Sequence, residues 1–398
     1  MRRIILLLFL LLPLGKTVAQ TGMEGTWHGT LTLGAEKVTL VFHLGDPCTM
    51  DSPDQGASGI AARAESLSPM GVKVVVPTLG ASFSGIAIGM DKIAGTFVQA
   101  GQTLPLTLQR GELVRRRPQT PKPPLPYPVR ELTIENDAVS LAATLTAPEG
   151  ATTALVMVTG SGLQDRDETL FGHKPFAVIA DALAKAGIAT LRYDDRGFGH
   201  STGNGQSATT DDFASDAEQA LRQLRSMGYE KVGILGHSEG GTIAYMLAAK
   251  QLPDFVVSLT GMTDRGDSTI YRQVFHQMLA KGQGQQAAEQ TAAAMLQAAE
   301  TGPSPYLRRF AELRPADFLA QVRCPVLALF GEKDLQVISE YNAPLLQRLL
   351  PSADVRLYPS LNHLLQHCQT GLPVEYAQIE ETISEEAVQA ICEFVKKM

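Results

Sequence analysis

At 398 residues the chain is long enough for two domains and carries ample apolar content for a packed core. A formal net charge of −7, with no block of basic residues along a globular stretch, argues against nucleic acid or an anionic membrane surface as a partner. Four cysteines, Cys48, Cys324, Cys368 and Cys392, are scattered without Cys-X-X-Cys spacing, which argues against a metal site or a redox motif.

The chain begins Met1-Arg2-Arg3, continues with an apolar run over residues 4–12, and reaches small residues around Thr17-Val18-Ala19. A basic start, a short apolar core and a small-residue cleavage site read as a secretory signal peptide over residues 1–19, too short for a membrane span. An uncleaved anchor is the alternative. No lipid-accepting cysteine follows at Gln20. The expectation is a periplasmic or secreted protein with no stable membrane insertion after signal cleavage. Export permits a disulfide, with Cys368 and Cys392 the pair to consider, although a thiol in a strand or helix is more often simply buried.

Residues 22–112 carry only strand and turn signals. Trp27, Leu31 and Leu33 share one parity, as do Val38, Leu40, Phe42 and Leu44, the period of strands with one buried face. Further short runs at residues 72–76, 81–88, 92–98 and 103–108 are separated by Gly, Pro, Asp or Ser, which predicts a small antiparallel β domain, barrel or sandwich. Packing or dimerisation is its expected role ahead of ligand binding, and Trp27 is expected in its core. Residues 113–128 alternate prolines behind Arg115-Arg116-Arg117 and read as a semi-rigid, extended linker whose arginines are solvated.

From residue 129 to 398, strands alternate with helices. Residues 132–135 and 140–146 predict a leading hairpin, and Ala154 to Val158 is a continuous apolar run expected to be buried on both faces. Phe176, Ile179, Ala180 and Leu183 share a helix face that stops at Gly187, and residues 188–193 form the next strand. A second helix carries Phe213, Ala217, Ala220, Leu221 and Leu224 on one side, with Asp211 and Asp212 in its first turn. Strands follow near residues 231–235, 255–259, 325–330 and 355–358, and a last helix is capped by Ser384. Such repetition predicts a doubly wound, mainly parallel sheet with helices on both faces. Residues 263–320, rich in Gln and Ala with helical spacing, predict a helical cap inserted between two core strands. Met278, Leu279 and Met295 are its candidates for an acyl pocket, or for the stripe that packs the cap on the body.

The chemistry concentrates at Gly236-His237-Ser238-Glu239-Gly240, a Gly-X-Ser-X-Gly pentad between an apolar strand and a helical run. A strand that reverses sharply into a helix lifts its turn serine clear of the sheet, and small neighbours let the backbone close around it. Ser238 is therefore the candidate nucleophile, and it needs a base and a group to orient that base. The strand at residues 325–330 runs into Gly331-Glu332-Lys333-Asp334, which places Asp334 at the carboxyl end of a core strand, with Glu332 as its rival. His363 lies in the loop after the last strand and is the candidate base, with His367 the alternative. For the oxyanion, the donors expected are the amide of Glu239 and the amide of Ser161 in the loop after the strand at residues 154–158, with Gly162 and Leu163 the alternatives. His237 reads as an elbow filler, and the carboxylate of Glu239 as a lesser candidate for substrate recognition. The clusters at residues 164–168 and 194–197 are expected to pair internally and fix their loops. No metal-ligand spacing is present, and no metal is expected.

These motifs, namely Gly160-Ser161-Gly162-Leu163-Gln164-Asp165-Arg166-Asp167, Tyr193-Asp194-Asp195-Arg196-Gly197, the serine pentad, Gly331-Glu332-Lys333-Asp334 and Asn362-His363, make residues 129–398 resemble the α/β-hydrolase superfamily. They are similar in particular to exported bacterial serine esterases with a small N-terminal β domain, which Asp51-Ser52-Pro53-Asp54-Gln55-Gly56 also resembles. Thr159 departs from the wider pattern, where many members carry His. The resemblance implies hydrolysis of short-chain carboxylic esters, a small-molecule ester as partner, and no cofactor. A serine aminopeptidase or dipeptidase, and a non-catalytic binding protein that uses its β domain, are the other readings. Self-association into a homo-oligomer is left open.

Overall fold

The computed structural model describes residues 22–33, 36–55 and 57–398, so the signal peptide expected over residues 1–19 lies outside the described residues. The chain forms two compact units divided between Val114 and Arg115. In the first, nine strands make one antiparallel sheet: β1 (Gly25–Leu33), β2 (Glu36–Leu44), β3 (Thr49–Ser52), β4 (Ala57–Ala61), β5 (Arg63–Ser68), β6 (Gly71–Val76), β7 (Ala81–Ala87), β8 (Lys92–Gln99) and β9 (Gln102–Arg110). Their order, β4-β3-β2-β1-β9-β8-β7-β6-β5, curls into a nearly closed, barrel-like wall. Trp27, Phe42, Val74, Phe83 and Leu108 fill its interior. Trp27 is wholly buried, and its indole donates to the Met23 carbonyl at 2.9 Å, so the ring is core.

The second unit holds eight strands: β10 (Val129–Asn136), β11 (Val139–Thr146), β12 (Thr153–Val158), β13 (Ala189–Tyr193), β14 (Lys231–His237), β15 (Val256–Leu259), β16 (Val326–Gly331) and β17 (Asp354–Tyr358). The sheet runs β10-β11-β13-β12-β14-β15-β16-β17. The β10/β11 hairpin pairs antiparallel with β13, and every pairing from β13 through β12 to β17 is parallel. Ten helices accompany it: α1 (Pro175–Lys185), α2 (Thr210–Ser226), α3 (Glu239–Ala249), α4 (Gly266–Ala280), α5 (Gln285–Thr301), α6 (Pro305–Ala311), α7 (Ala316–Leu319), α8 (Ser339–Leu349), α9 (Pro373–Tyr376) and α10 (Glu385–Val395).

Two separate apolar clusters cover the two sheet faces. Alternate residues Val156, Ile234, Val256 and Ala328 meet α2, α3 and α8, whereas Leu155, Leu235, Val257 and Leu327 meet α1 and α10. This double burial explains why the central strands read as unbroken apolar runs. The start of α2 is fixed by a capping box, in which the Asp212 carboxylate accepts the Thr209 amide at 2.9 Å. The helix α10 is capped by Ser384, whose hydroxyl accepts the Ala387 amide. The insertion between β15 and β16 is helical throughout, α4 to α7. Within it Leu279 and Met295 are among the exposed apolar residues, and neither they nor Met278 line the cavity beside Ser238.

The segment expected as a solvated linker behaves differently from that reading at Arg117. Its guanidinium is half-buried and donates to the carbonyls of Phe171 and Ala377 at 2.8 Å and of Ile379 at 2.9 Å. Burial, and then the neighbouring Arg115, push its pKa down to about 10. The cysteines are all free thiols, each half-buried, and burial raises Cys324 and Cys368 to about 11.

Candidate active site

The elbow follows from two closely packed glycines and one strained serine. Strand β14 ends at His237 and α3 begins at Glu239, so the whole reversal falls on Ser238, held at φ +52° and ψ −117°. A non-glycine residue there is strained, and the surroundings impose it. The Ser238 amide donates to the Leu259 carbonyl at 2.8 Å, and its own carbonyl accepts the Gly241 amide at 3.0 Å. A Cβ on Gly236 would lie 2.0 Å from the Gly240 carbonyl oxygen, and one on Gly240 would lie 2.2 Å from the Val158 oxygen. Only glycine permits so close an approach of strand, helix and neighbouring strand.

Asp334 stands at the end of β16 with its carboxylate buried, 1% exposed. One oxygen accepts the amides of Gln336 at 2.7 Å and Val337 at 3.0 Å; the other lies 2.7 Å from His363 Nδ1. The rival Glu332 is exposed. His363 occupies the loop after β17, and its ring faces the same cavity that Ser238 lines. His367 is half-exposed and instead meets Glu381, 3.0 Å from its Nδ1. Ser238, His363, His237, Gly160 and Ser161 thus surround one cavity of about 330 Å³, roofed by α4 and α6.

The loop that carries the expected oxyanion donors is held by the amides on either side of them. The Gly160 amide donates to Glu168 at 2.9 Å and the Gln164 amide to Asp195 at 2.8 Å, so both are committed. Ser161, Gly162 and Leu163 lie between them, and Ser161 itself lines the cavity. Thr159 donates its hydroxyl to Asp195 at 2.9 Å. Burial pushes Asp195 up to about 8, and its two oxygens accept from Thr159 and Gln164 and so anchor the loop at both ends.

Glu239 is not among the residues lining the cavity and reaches its wall only through the Ser161 side chain. It is buried and accepts hydrogen bonds from Thr210 at 2.6 Å and Tyr306 at 2.5 Å. Burial raises its pKa, and the carboxylate ties α2 and the cap to the start of α3 rather than reading a substrate. Of the charged clusters, Arg166 and Asp194 pair with each other as expected, whereas Asp167 and Arg196 find partners outside them, on β13 and α2. Arg166 grips Asp194 through Nε at 2.9 Å and Nη2 at 3.0 Å, Arg192 pairs with Asp167, and Arg196 reaches Asp216 at 2.7 Å. Burial opposes ionisation of Asp194, but Arg166 prevails and holds it at about 2.

The sequence reading missed what His237 does. Its Nδ1 lies 2.8 Å from the Glu168 carboxylate and its Nε2 lies 2.9 Å from the His363 carbonyl, with all three residues buried. Both partners offer oxygens as acceptors, an arrangement that favours a proton on each ring nitrogen. Burial opposes that charge, but Glu168 outweighs it and the His237 pKa is raised. The one available signal was Glu168 closing a charged run on the loop after β12; its partner sixty-nine residues on was invisible along the chain.

Sheet order, elbow and inserted cap together are those of the α/β-hydrolase fold. The Hydrolase_4 family model, described as serine aminopeptidase S33, matches residues 174–281. Esterase EstD of Thermotoga maritima is 28% identical over 253 residues, 59% of this chain and 61% of that protein. The chain therefore spans about three fifths of the length of that relative. Serine hydrolase BPHL of Homo sapiens is 25% identical over 213 residues, 49% of this chain and 69% of that protein. Among solved structures, the Pyrococcus furiosus esterase Pf2001 superposes with a TM-score of 0.48 at 14% identity, covering 72% of this chain and 99% of that one.

Proposed function

We propose that the chain is a serine hydrolase that cleaves short-chain carboxylic esters through an acyl-enzyme. The observation that carries this reading is the 2.7 Å contact of buried Asp334 with His363 Nδ1, at a cavity that also receives the strained Ser238. Ser238 Oγ attacks the ester carbonyl, and His363 Nε2 takes its proton and returns it to the departing alcohol oxygen. Asp334 fixes the ring so that Nε2 faces the serine and stabilises the imidazolium that forms. The amides of Glu239, at the start of α3, and of Ser161 hold the oxyanion. Water, deprotonated by His363, then releases the acid. No step calls for a metal or organic cofactor.

A serine aminopeptidase is supported by the name of the matched family, and the fold hosts both chemistries. A peptidase of that kind needs a carboxylate to receive the substrate's α-ammonium. Among the described residues lining the cavity the side chains are amides, hydroxyls, aromatics, aliphatics and imidazoles, with no carboxylate. That lining favours the ester.

Export to the periplasm or medium is inferred from the first nineteen residues, and the β domain is inferred to serve packing or self-association. Among the described residues no helix is long and apolar enough to cross a membrane. Labelling with a fluorophosphonate probe tests the nucleophile. Wild type should label and Ser238→Ala should not, while p-nitrophenyl acyl esters should be turned over and aminoacyl anilides should not. Labelling that survives Ser238→Ala would refute the assignment.

A further inference from the structure

Three side chains on one face of α4, Thr269, Gln273 and Gln277, recur every fourth residue and turn toward the cavity that holds Ser238. Gln164 joins them from the oxyanion loop and Gln336 from the loop after Asp334. A cap helix that only packed would set apolar groups there. Two of these polar atoms, Gln164 Oε1 and Thr269 Oγ1, are buried without a hydrogen-bond partner in the protein. Gln164 is fixed in place, since its Nε2 donates to the Ser161 carbonyl at 3.3 Å. Buried polar groups are almost always paired, so unpaired ones converging on a reaction cavity point to a ligand that supplies the partners.

The partners required are specific. Gln164 Oε1 only accepts, so it needs a donor; Thr269 Oγ1 both donates and accepts. An ammonium would find no carboxylate among the lining side chains, and the one imidazole that could face a carboxylate as a cation, His237, is already paired with Glu168, whereas a hydroxyl meets both needs. A cavity of about 330 Å³ lies at the small end of ligand sites and suits one monosaccharide-sized group. Leu170, Phe171 and Tyr376 supply flat apolar surface for the carbon faces of such a ring.

We propose that the cavity selects esters of neutral, polyhydroxylated alcohols, with acylated sugars as the substrate class, and that Gln164 and Thr269 read the sugar hydroxyls. The inference rests on the serine-hydrolase reading above. In the reaction Ser238 Oγ bonds to the acyl carbon, the acyl carbon–sugar oxygen bond breaks, and the departing sugar oxygen takes the proton held by His363. Water then cleaves the acyl-serine bond, returning the free acid and the serine hydroxyl.

The test compares kcat/KM of the full-length protein for 6-O-acetylglucose and for cyclohexylmethyl acetate, an ester of similar size without hydroxyls. Wild type should favour the sugar ester by tenfold or more, and the nearly isosteric Thr269→Val should cut that ratio by roughly tenfold, the loss expected for one hydrogen bond to a buried group. Gln273→Leu, on the half-buried cap face, should lower the ratio severalfold and guards against a folding defect at Thr269. Fluorophosphonate labelling of each variant reports an intact elbow. A wild-type ratio at or below one in labelled protein overturns this proposal and leaves the hydrolase standing. A ratio unmoved in both labelled variants overturns it too. Wild-type protein that neither labels nor cleaves either ester removes both readings.

Discussion

His237 donates its Nε2–H to the backbone carbonyl of His363 at 2.9 Å, so the residue before Ser238, the proposed nucleophile, holds the loop that carries His363, the proposed base. The two rings lie 4.8 Å apart, and the opposite nitrogen of His237 is held by Glu168, whose carboxylate also receives the Gly160 amide. One buried ion pair thus joins the elbow, the base loop and the oxyanion loop. Misplacing reacting groups by about an ångström costs on the order of a hundredfold in rate.

Glu168→Gln should therefore lower kcat by roughly 10- to 100-fold with little change in KM, because the uncharged amide no longer holds His237 doubly protonated. Steady-state kinetics on a p-nitrophenyl ester check this. A variant with wild-type kcat would show that the pair is structural filling.

Asp334→Asn keeps the size of the side chain but no longer favours the His363 tautomer that leaves Nε2 free to accept. The expected loss in kcat is about 10⁴-fold. Glu332→Gln, at an exposed position, should leave kcat within about twofold, since surface substitutions of this kind are nearly neutral. The pair of measurements separates the two acids.

Gly236→Ala and Gly240→Ala each drive a methyl into a backbone oxygen, at 2.0 Å and 2.2 Å respectively. Neither obstacle is a flexible side chain, so the strand-helix turn must open. Denaturant unfolding should show destabilisation of about 3 kcal/mol or more. Wild-type stability in either variant would mean that the elbow is looser than its packing indicates.

His173 is wholly buried, with Nε2 donating to the Tyr376 carbonyl at 2.8 Å and Nδ1 beside the Thr382 hydroxyl at 3.1 Å. Burial pushes its pKa down from 6.5 to about 4. The folded state therefore keeps it neutral while the unfolded chain takes up a proton. The stabilisation is intact above pH 6.5 and is lost as pH falls from there to about 4. His173→Gln should be less stable than wild type at pH 8 and should lose less stability between pH 7 and 4. Parallel curves for the two proteins in that window would sink the assignment.

Fold class, strand order of the chemistry and the identity of Ser238, Asp334 and His363 as candidates were all readable along the chain, because each depends on a local pattern. Apolar runs mark strands covered on both faces, glycines mark the reversal, and an acid or imidazole just past a strand end lies on the working edge of the sheet. In the β domain the same logic found the strands with a clear inward face and overlooked β3, β4 and β5, whose short, polar or mostly exposed residues carry little alternation.

The tertiary structure decided which neighbours these residues have. No spacing rule joins Glu168 to His237, ties the Glu239 carboxylate to Tyr306, plugs Arg117 into three distant carbonyls, or leaves Gln164 and Thr269 unpaired beside Ser238. Periodicity reports which face of an element is buried. Which buried groups meet across that face is set by how the loops and the cap close over the sheet, and that depends on contacts between residues far apart in sequence.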